Sequence, residues 1–336
     1  MFGHGLIRAK TAAFRQLAAM IAGGVSLSES LAIIAERCGD PRLAKSLMRA
    51  SRETSSGKPL SSIFAQEPDL YPPLTIAMLE AAEQSGRLDE VLGRLADYYE
   101  RDYQLRLMLS RETFYPKILA LGIIFIPLLG NTVRIWITST GREAFAYILK
   151  YVFLYALVLA VPVAALWATW QSLRKSETGR ASLDGAKLKL PLIGKVVHRL
   201  AMARFGRTLA TLYSGGVPMS KAVRLAGEAM ANAKLRQITD AAADKIQTGT
   251  GLTEALAESC LSDTMLLSML RTGEQTGDIE ETMNHVASYY EDEAETAARQ
   301  IAVAIVPVAV IIAGIVVGFM LFQFYGQQLY GELLNE

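Results

Sequence analysis

Two stretches of this chain match one another in a nearly constant register, and that repeat constrains the fold more than any other feature. Arg15 to Ala18, Gly23-Gly24-Val25 and Ser28 match Arg207 to Ala210, Gly215-Gly216-Val217 and Ser220 at a spacing of 192 residues. Gly57 and Leu60 fall on Gly249 and Leu252 at the same spacing. Further on the spacing is 191: Glu83 to Gly86 falls on Glu274 to Gly277, and Tyr98-Tyr99-Glu100 on Tyr289-Tyr290-Glu291. Pro116 and Pro307, each inside an apolar run, keep that register. The unit is a polar segment followed by an apolar one, present twice.

Within each polar segment the punctuation is helical. Gly23-Gly24 suits a left-handed helix end, and Ser26-x-x-Glu29 reads as a capping box that opens the next helix. Asp40-Pro41 supplies an N-cap and a first-turn proline, Pro72-Pro73 opens another helix, and Gly86 separates that helix from one beginning near Leu88. Strand alternation is not sustained anywhere. The expectation is an all-α protein with two homologous helical-bundle domains, at 1–112 and 171–300.

The apolar runs predict membrane spans. Residues 301–325 are uncharged over a length sufficient for about 30 Å of hydrocarbon. Residues 147–170 carry one charge, Lys150, near an end, with Tyr147, Tyr151, Trp167 and Trp170 at interfacial depths. Residues 113–133 make a third span in which Lys117 snorkels. Arg101, Arg106 and Arg111 before the first span, and Arg174, Lys175 and Arg180 after the second, place both polar segments in the cytoplasm. The loop 134–146 and the tail 326–336, which lacks Lys and Arg, are then external. Arg15 and Gln16 interrupt the first apolar run, so the N-terminus reads as a retained amphipathic helix rather than a cleaved signal.

Composition agrees with a chain partly in lipid and partly in water: it is 51% hydrophobic and 20% charged, with a mean hydropathy of +0.24. Its 34 Lys and Arg against 33 Asp and Glu leave a net charge of +1, which offers no field for nucleic acid. Cys38 and Cys260 occupy unmatched places in the repeat and read as reduced packing residues. The phosphate-loop pattern GxxxxGK[ST] does not occur, so the chain is not a nucleotide-driven motor. His4, His198 and His285 lack metal-ligand spacing, and no serine or acid sits in a local catalytic signature. No catalytic, cofactor or metal site is expected, and the chain reads as not an enzyme.

Taken together, these motifs resemble the family of type II secretion F and type IV pilus inner-membrane platform proteins. The resemblance rests on the GGV turns at Gly23-Gly24-Val25 and Gly215-Gly216-Val217-Pro218, on the Gly57 and Gly249 turns, and on GEQTG at Gly273 to Gly277 followed by Tyr289-Tyr290. It covers about residues 12 to 325. The first repeat departs from it with Ala82 where the second has Gly273, and Val306 stands before Pro307 where the family often has glutamate. The short start before the first repeat leans towards the type IVb or conjugative thin pilus members.

The resemblance implies a bacterial inner-membrane platform that couples a cytoplasmic assembly ATPase to the insertion of pilin or pseudopilin into a fibre. It also implies homo-oligomerisation and contact with other inner-membrane assembly proteins and the lipid bilayer. A multi-pass transporter or channel, or a signalling scaffold, is the alternative. The turns at Gly23, Gly24, Gly86, Gly215, Gly216, Gly273 and Gly277 are family-motif positions. Glu83 and Glu274, read as standing just before a helix start, have two roles open to them, capping and partner contact. Tyr98, Tyr99, Tyr289 and Tyr290 have packing, interfacial anchoring or recognition open to them, and Gly314 and Gly318 offer a small-residue face for helix packing in the membrane.

Overall fold

The structure, a computed structural model, describes residues 3–112, a scatter of positions between 114 and 153, residues 193–259 and residues 263–333, without the side chains at several positions beyond 301. The first repeat forms α1 (Gly3–Ala22), α2 (Leu27–Arg37), α3 (Pro41–Ser55), α4 (Leu60–Phe64), α5 (Pro73–Ser85) and α6 (Leu88–Glu112). The second forms α7 (Ile193–Ser214), α8 (Met219–Ala229), α9 (Ala233–Gln247), α10 (Leu252–Glu258), α11 (Thr264–Thr276) and α12 (Ile279–Leu333). The protein is all-α, with no strand among the described residues.

Local sequence explains where these helices start. Ser26 Oγ accepts the Glu29 N–H at 3.3 Å and opens α2. Asp40 accepts the N–H groups of Arg42 and Leu43 at 3.0 and 3.2 Å, with Pro41 in the first turn of α3. Asn232 does the same for α9, accepting from Lys234 and Leu235 at 3.1 and 3.2 Å. Each carries one or two of the four orphan N–H groups that every helix start presents.

The chain divides into two compact units, one made of Met1–Leu109 with Asp184–Glu295 and the other of Ser110–Leu183 with Thr296–Glu336. Both polar segments fall in the first unit and share one apolar core, in which Phe14, Leu17 and Leu92 belong to the same cluster as Phe205, Leu209 and Met283. Burying a side chain of this kind contributes roughly 1.5–3 kcal/mol. Helix α5 of the first repeat packs on α7 and α8 of the second. The two repeats are therefore joined by side-chain packing as well as by the chain between them.

The second unit contains, by residue number, all three expected spans. Those at 113–133 and 147–170 lie largely outside the described residues. The third falls within α12, which runs unbroken from Ile279 to Leu333 and contains Pro307. Among the described residues no helix is long and apolar enough to cross a membrane. Large apolar side chains of this unit are nonetheless uncovered, among them Phe114, Phe125, Phe153 and Ile311, with Trp136 and Phe322 each 75% exposed.

Candidate functional site

The duplicated motif at Glu83 and Glu274 forms a clamp. Glu83 lies in the last turn of α5, where its carboxylate accepts the N–H groups of Leu60 and Ser61 and the Ser61 hydroxyl. Glu274, in the last turn of α11, accepts the N–H groups of Leu252 and Thr253 at 2.6 and 3.0 Å and the Thr253 hydroxyl. Helices α4 and α10 have no side-chain cap of their own, since Pro59 and Gly251 stand at their N-caps. The carboxylate thus sits on the positive end of a helix some 20 residues upstream, and not on the helix that follows it as the sequence reading had it. The reason is tertiary: the five-residue α4 and seven-residue α10 fold back against the helix that carries the acid.

The glycines turn the chain out of these helices. Gly86 and Gly277 end α5 and α11 with φ of 71° and 77°, the left-handed region that β-carbon sterics disfavour. Gly24 and Gly216 take φ of 82° and 79° after α1 and α7. Their partners Gly23 and Gly215 donate back to Ala19 and Thr211 at 3.0 Å in each case. Gly215 is also a close approach, since a Cβ there would stand 3.2 Å from Met78 Cε. Gly273 is buried where α11 meets the start of α12, with Ile279 Cα 3.2 Å from its Cβ position, whereas its counterpart Ala82 is accommodated at 0% exposure. Gly314 and Gly318 lie on α12 with no described atom within 4 Å of their Cβ positions.

The tyrosine pairs are edge-to-face, with centroids 5.6 Å apart for Tyr98–Tyr99 and 5.3 Å for Tyr289–Tyr290. The second member of each is core: Tyr99 stacks on Phe14 at 5.5 Å and shares a 2.7 Å hydrogen bond with Thr75, and Tyr290 is 4% exposed. Burial pushes the Tyr99 hydroxyl pKa upward, so it stays protonated. Tyr98 is half-buried and Tyr289 is exposed.

Two buried cations escaped the sequence reading. Lys10 points into the first repeat, donates to the Leu70 carbonyl and lies 5.2 Å from the Tyr99 ring centroid; burial lowers its pKa to about 8. Arg207 reaches both oxygens of Glu291 at 3.0 Å and Asn284 Oδ1 at 2.7 Å. A signal for Lys10 was present in the repeat, because its counterpart is the apolar Met202. Cys38 is half-buried, and Cys260 lies outside the described residues. His198 and His285 each face a single carboxylate, Asp263 at 3.9 Å and Glu281 at 3.6 Å. The His4 side chain lies outside the described residues. Among the described residues no three His, Cys, Asp or Glu side chains are grouped to hold a metal ion. What this arrangement does chemically is fix helix ends and inter-repeat contacts.

The description of type II secretion system protein F matches this chain twice, over residues 13–133 and 205–326, once on each repeat. The chain belongs to the type II secretion system protein F family. Among its relatives is the type IV pilus assembly protein PilC of Pseudomonas aeruginosa, 29% identical over 87% of this chain and 82% of its own length. The type II secretion system protein F of Aeromonas hydrophila is 29% identical over 87% of this chain and 77% of its own length. The PilC of Thermus thermophilus is 30% identical over 87% and 74% respectively. Relatives of this family member thus carry names from both the secretion and the pilus machinery.

Proposed function

We propose that this family member is the non-enzymatic platform of a type IV pilus or type II secretion machine, set in the bacterial inner membrane. It binds a cytoplasmic assembly ATPase and other assembly proteins, receives pilin or pseudopilin subunits from the bilayer, and couples the motor to their insertion into a fibre. The observation that carries this reading is the family match on each of the two repeats. Three crossings at 113–133, 147–170 and 301–325, with the N-terminus cytoplasmic and the C-terminus external, are supported by an excess of basic residues on one side: Arg101, Arg106, Arg111, Arg174, Lys175 and Arg180 beside the polar segments, against Arg134 and Arg142 in the loop 134–146 and none in the tail 326–336. The uncovered Phe114, Trp136, Ile311 and Phe322 favour the same reading, because apolar surface of that extent calls for lipid or protein cover.

Energetics supports a separate motor. Withdrawing a pilin helix of about 20 residues from lipid costs on the order of 10 kcal/mol. A chain without a phosphate-binding loop has no means of supplying that repeatedly. The clamped turns at Glu83 and Glu274 and the helix-packing face at Gly314 and Gly318 are the proposed contact regions. The reading is tested by deleting the gene and purifying the protein: fibres should be lost while pilin remains in the membrane, and the protein alone should hydrolyse no ATP. Normal fibres in its absence, or capture of a kinase or a solute flux in place of pilin and ATPase, would overturn it in favour of a scaffold or a transporter.

A further inference from the structure

The contact between the two repeats is directional. The α5–α6 face of the first lies on the α7–α8 turn and the start of α12 in the second: Glu80 pairs with Lys221 at 2.8 Å, Arg94 with Glu280, and Met78 abuts Gly215. A two-fold relation would also lay α11 of the second repeat on the α1–α2 turn of the first. Exposure shows that it does not. Val217 is 4% exposed but its counterpart Val25 is only half-buried; Met78 is 0% exposed but Met269 is half-buried. The Arg207 side chain is 7% exposed against 58% for Arg15. One such contact is made inside the chain, and each repeat keeps one unused half of it.

Those unused halves carry complementary charge. At the place of Lys221 the first repeat has Glu29, and at the place of Glu80 the second repeat has Arg271; both are exposed, and neither has an ion pair among the described residues. At the place of Glu280 stands Asp89, and at the place of Arg94 stands His285, again both exposed. The Glu29–Arg271 combination is attractive, as Glu80–Lys221 is, but with the signs exchanged between the two faces.

We propose that a second copy of this chain covers these faces, with the α1–α2 turn of one chain docking on α11 and the start of α12 of the next, Glu29 against Arg271 and Asp89 against His285. The docking repeats between chains the contact that the two repeats make within one. Being head-to-tail, it builds a row or a ring and not a two-fold dimer. The sign exchange keeps the two contacts apart. A foreign α1–α2 turn seated on α5 would set Glu29 against Glu80, and α11 seated on a foreign α7–α8 turn would set Arg271 against Lys221.

The test is the self-association of the full chain in detergent, followed by sedimentation. Glu29→Arg or Arg271→Glu alone should weaken association by about fivefold or more, since an exposed attraction becomes a repulsion. The chain carrying both substitutions should associate as the wild type does, and the two single variants should associate with each other better than either does with itself. Both positions are exposed, so the fold should survive each change, although Glu29→Arg puts a cation in the acidic first turn of α2 and should melt slightly early. Glu29→Gln and Arg271→Gln, which only neutralise the pair, should therefore weaken association in the same direction with a smaller change in melting. A wild-type chain that stays single at every soluble concentration, single variants that associate normally, or a double variant that is not rescued would each overturn the proposal.

Discussion

Glu274 accepts the backbone N–H of Leu252 at 2.6 Å, and so ties the last turn of α11 to the first turn of α10, a helix that lacks a side-chain cap of its own. Removing the carboxylate leaves two N–H donors and the Thr253 hydroxyl without it. Glu274→Ala should therefore cost about 1–2 kcal/mol, seen as a melting temperature lower by a few degrees. Glu274→Gln keeps one carbonyl oxygen and should cost less. Glu83→Ala should behave as Glu274→Ala does, because Glu83 makes the matching contacts to Leu60 and Ser61.

Gly277 ends α11 at a φ of 77°. A branched side chain is strained there whatever the space around it, and no described atom lies within 4 Å of the Cβ position to add a clash. Gly277→Val should destabilise the protein by about 1–2 kcal/mol, and Gly277→Asn by clearly less, since asparagine tolerates the left-handed region. Denaturant midpoints of the two variants measure the difference.

Lys10 makes stability depend on pH. Burial is the main cause of its lowered pKa, about 8 against 10.5 for the free side chain, and Asp102 offsets part of the effect. The folded protein therefore releases this proton before the unfolded chain does. The penalty of holding the charge is fully present below about pH 8 and is relieved as pH rises from there towards 10.5. Between pH 7.5 and 9.5 the wild type should gain on the order of 2 kcal/mol. Lys10→Met, which copies Met202 of the second repeat, should flatten that gain. An equal rise in both proteins would place the titration elsewhere.

Helix ends were legible where the signal is local. Ser26, Asp40 and Gly86 act within four residues of themselves, so their residue types were enough to locate α2, α3 and the end of α5. The position of Glu83 and Glu274 just before a helix start was legible, but the start each carboxylate reaches lies upstream, because that depends on how α4 and α10 fold back. Tyr99 and Tyr98 read alike in sequence and differ in burial, since one faces the core with Phe14 and the other the second repeat. The sharing of one core by both repeats was not legible. It depends on α5 meeting the Gly215 turn, and the matching Gly23 turn has the same residues without that cover.

Arg207 and Arg15 are counterparts in the repeat, and their environments set opposite expectations. Arg207 is 7% exposed in its side chain, and its fork engages Glu291, Asn284 and Ser288. Arg15 holds Asp97 at 2.9 Å, with the two side chains 58% and 69% exposed. Truncating Arg207 leaves Glu291, whose side chain is 25% exposed, only partly hydrated and without its ion, whereas an exposed pair exchanges its contact for full hydration. Arg207→Ala should thus cost about 2–3 kcal/mol, and Arg15→Ala under about 1 kcal/mol. Salt separates them further, because about 0.5 M NaCl screens an exposed pair and leaves a buried one largely intact. The Arg15→Ala effect should vanish at that ionic strength while most of the Arg207→Ala effect remains. Loss of both effects in salt would mean that the Arg207 pocket is open to water in solution.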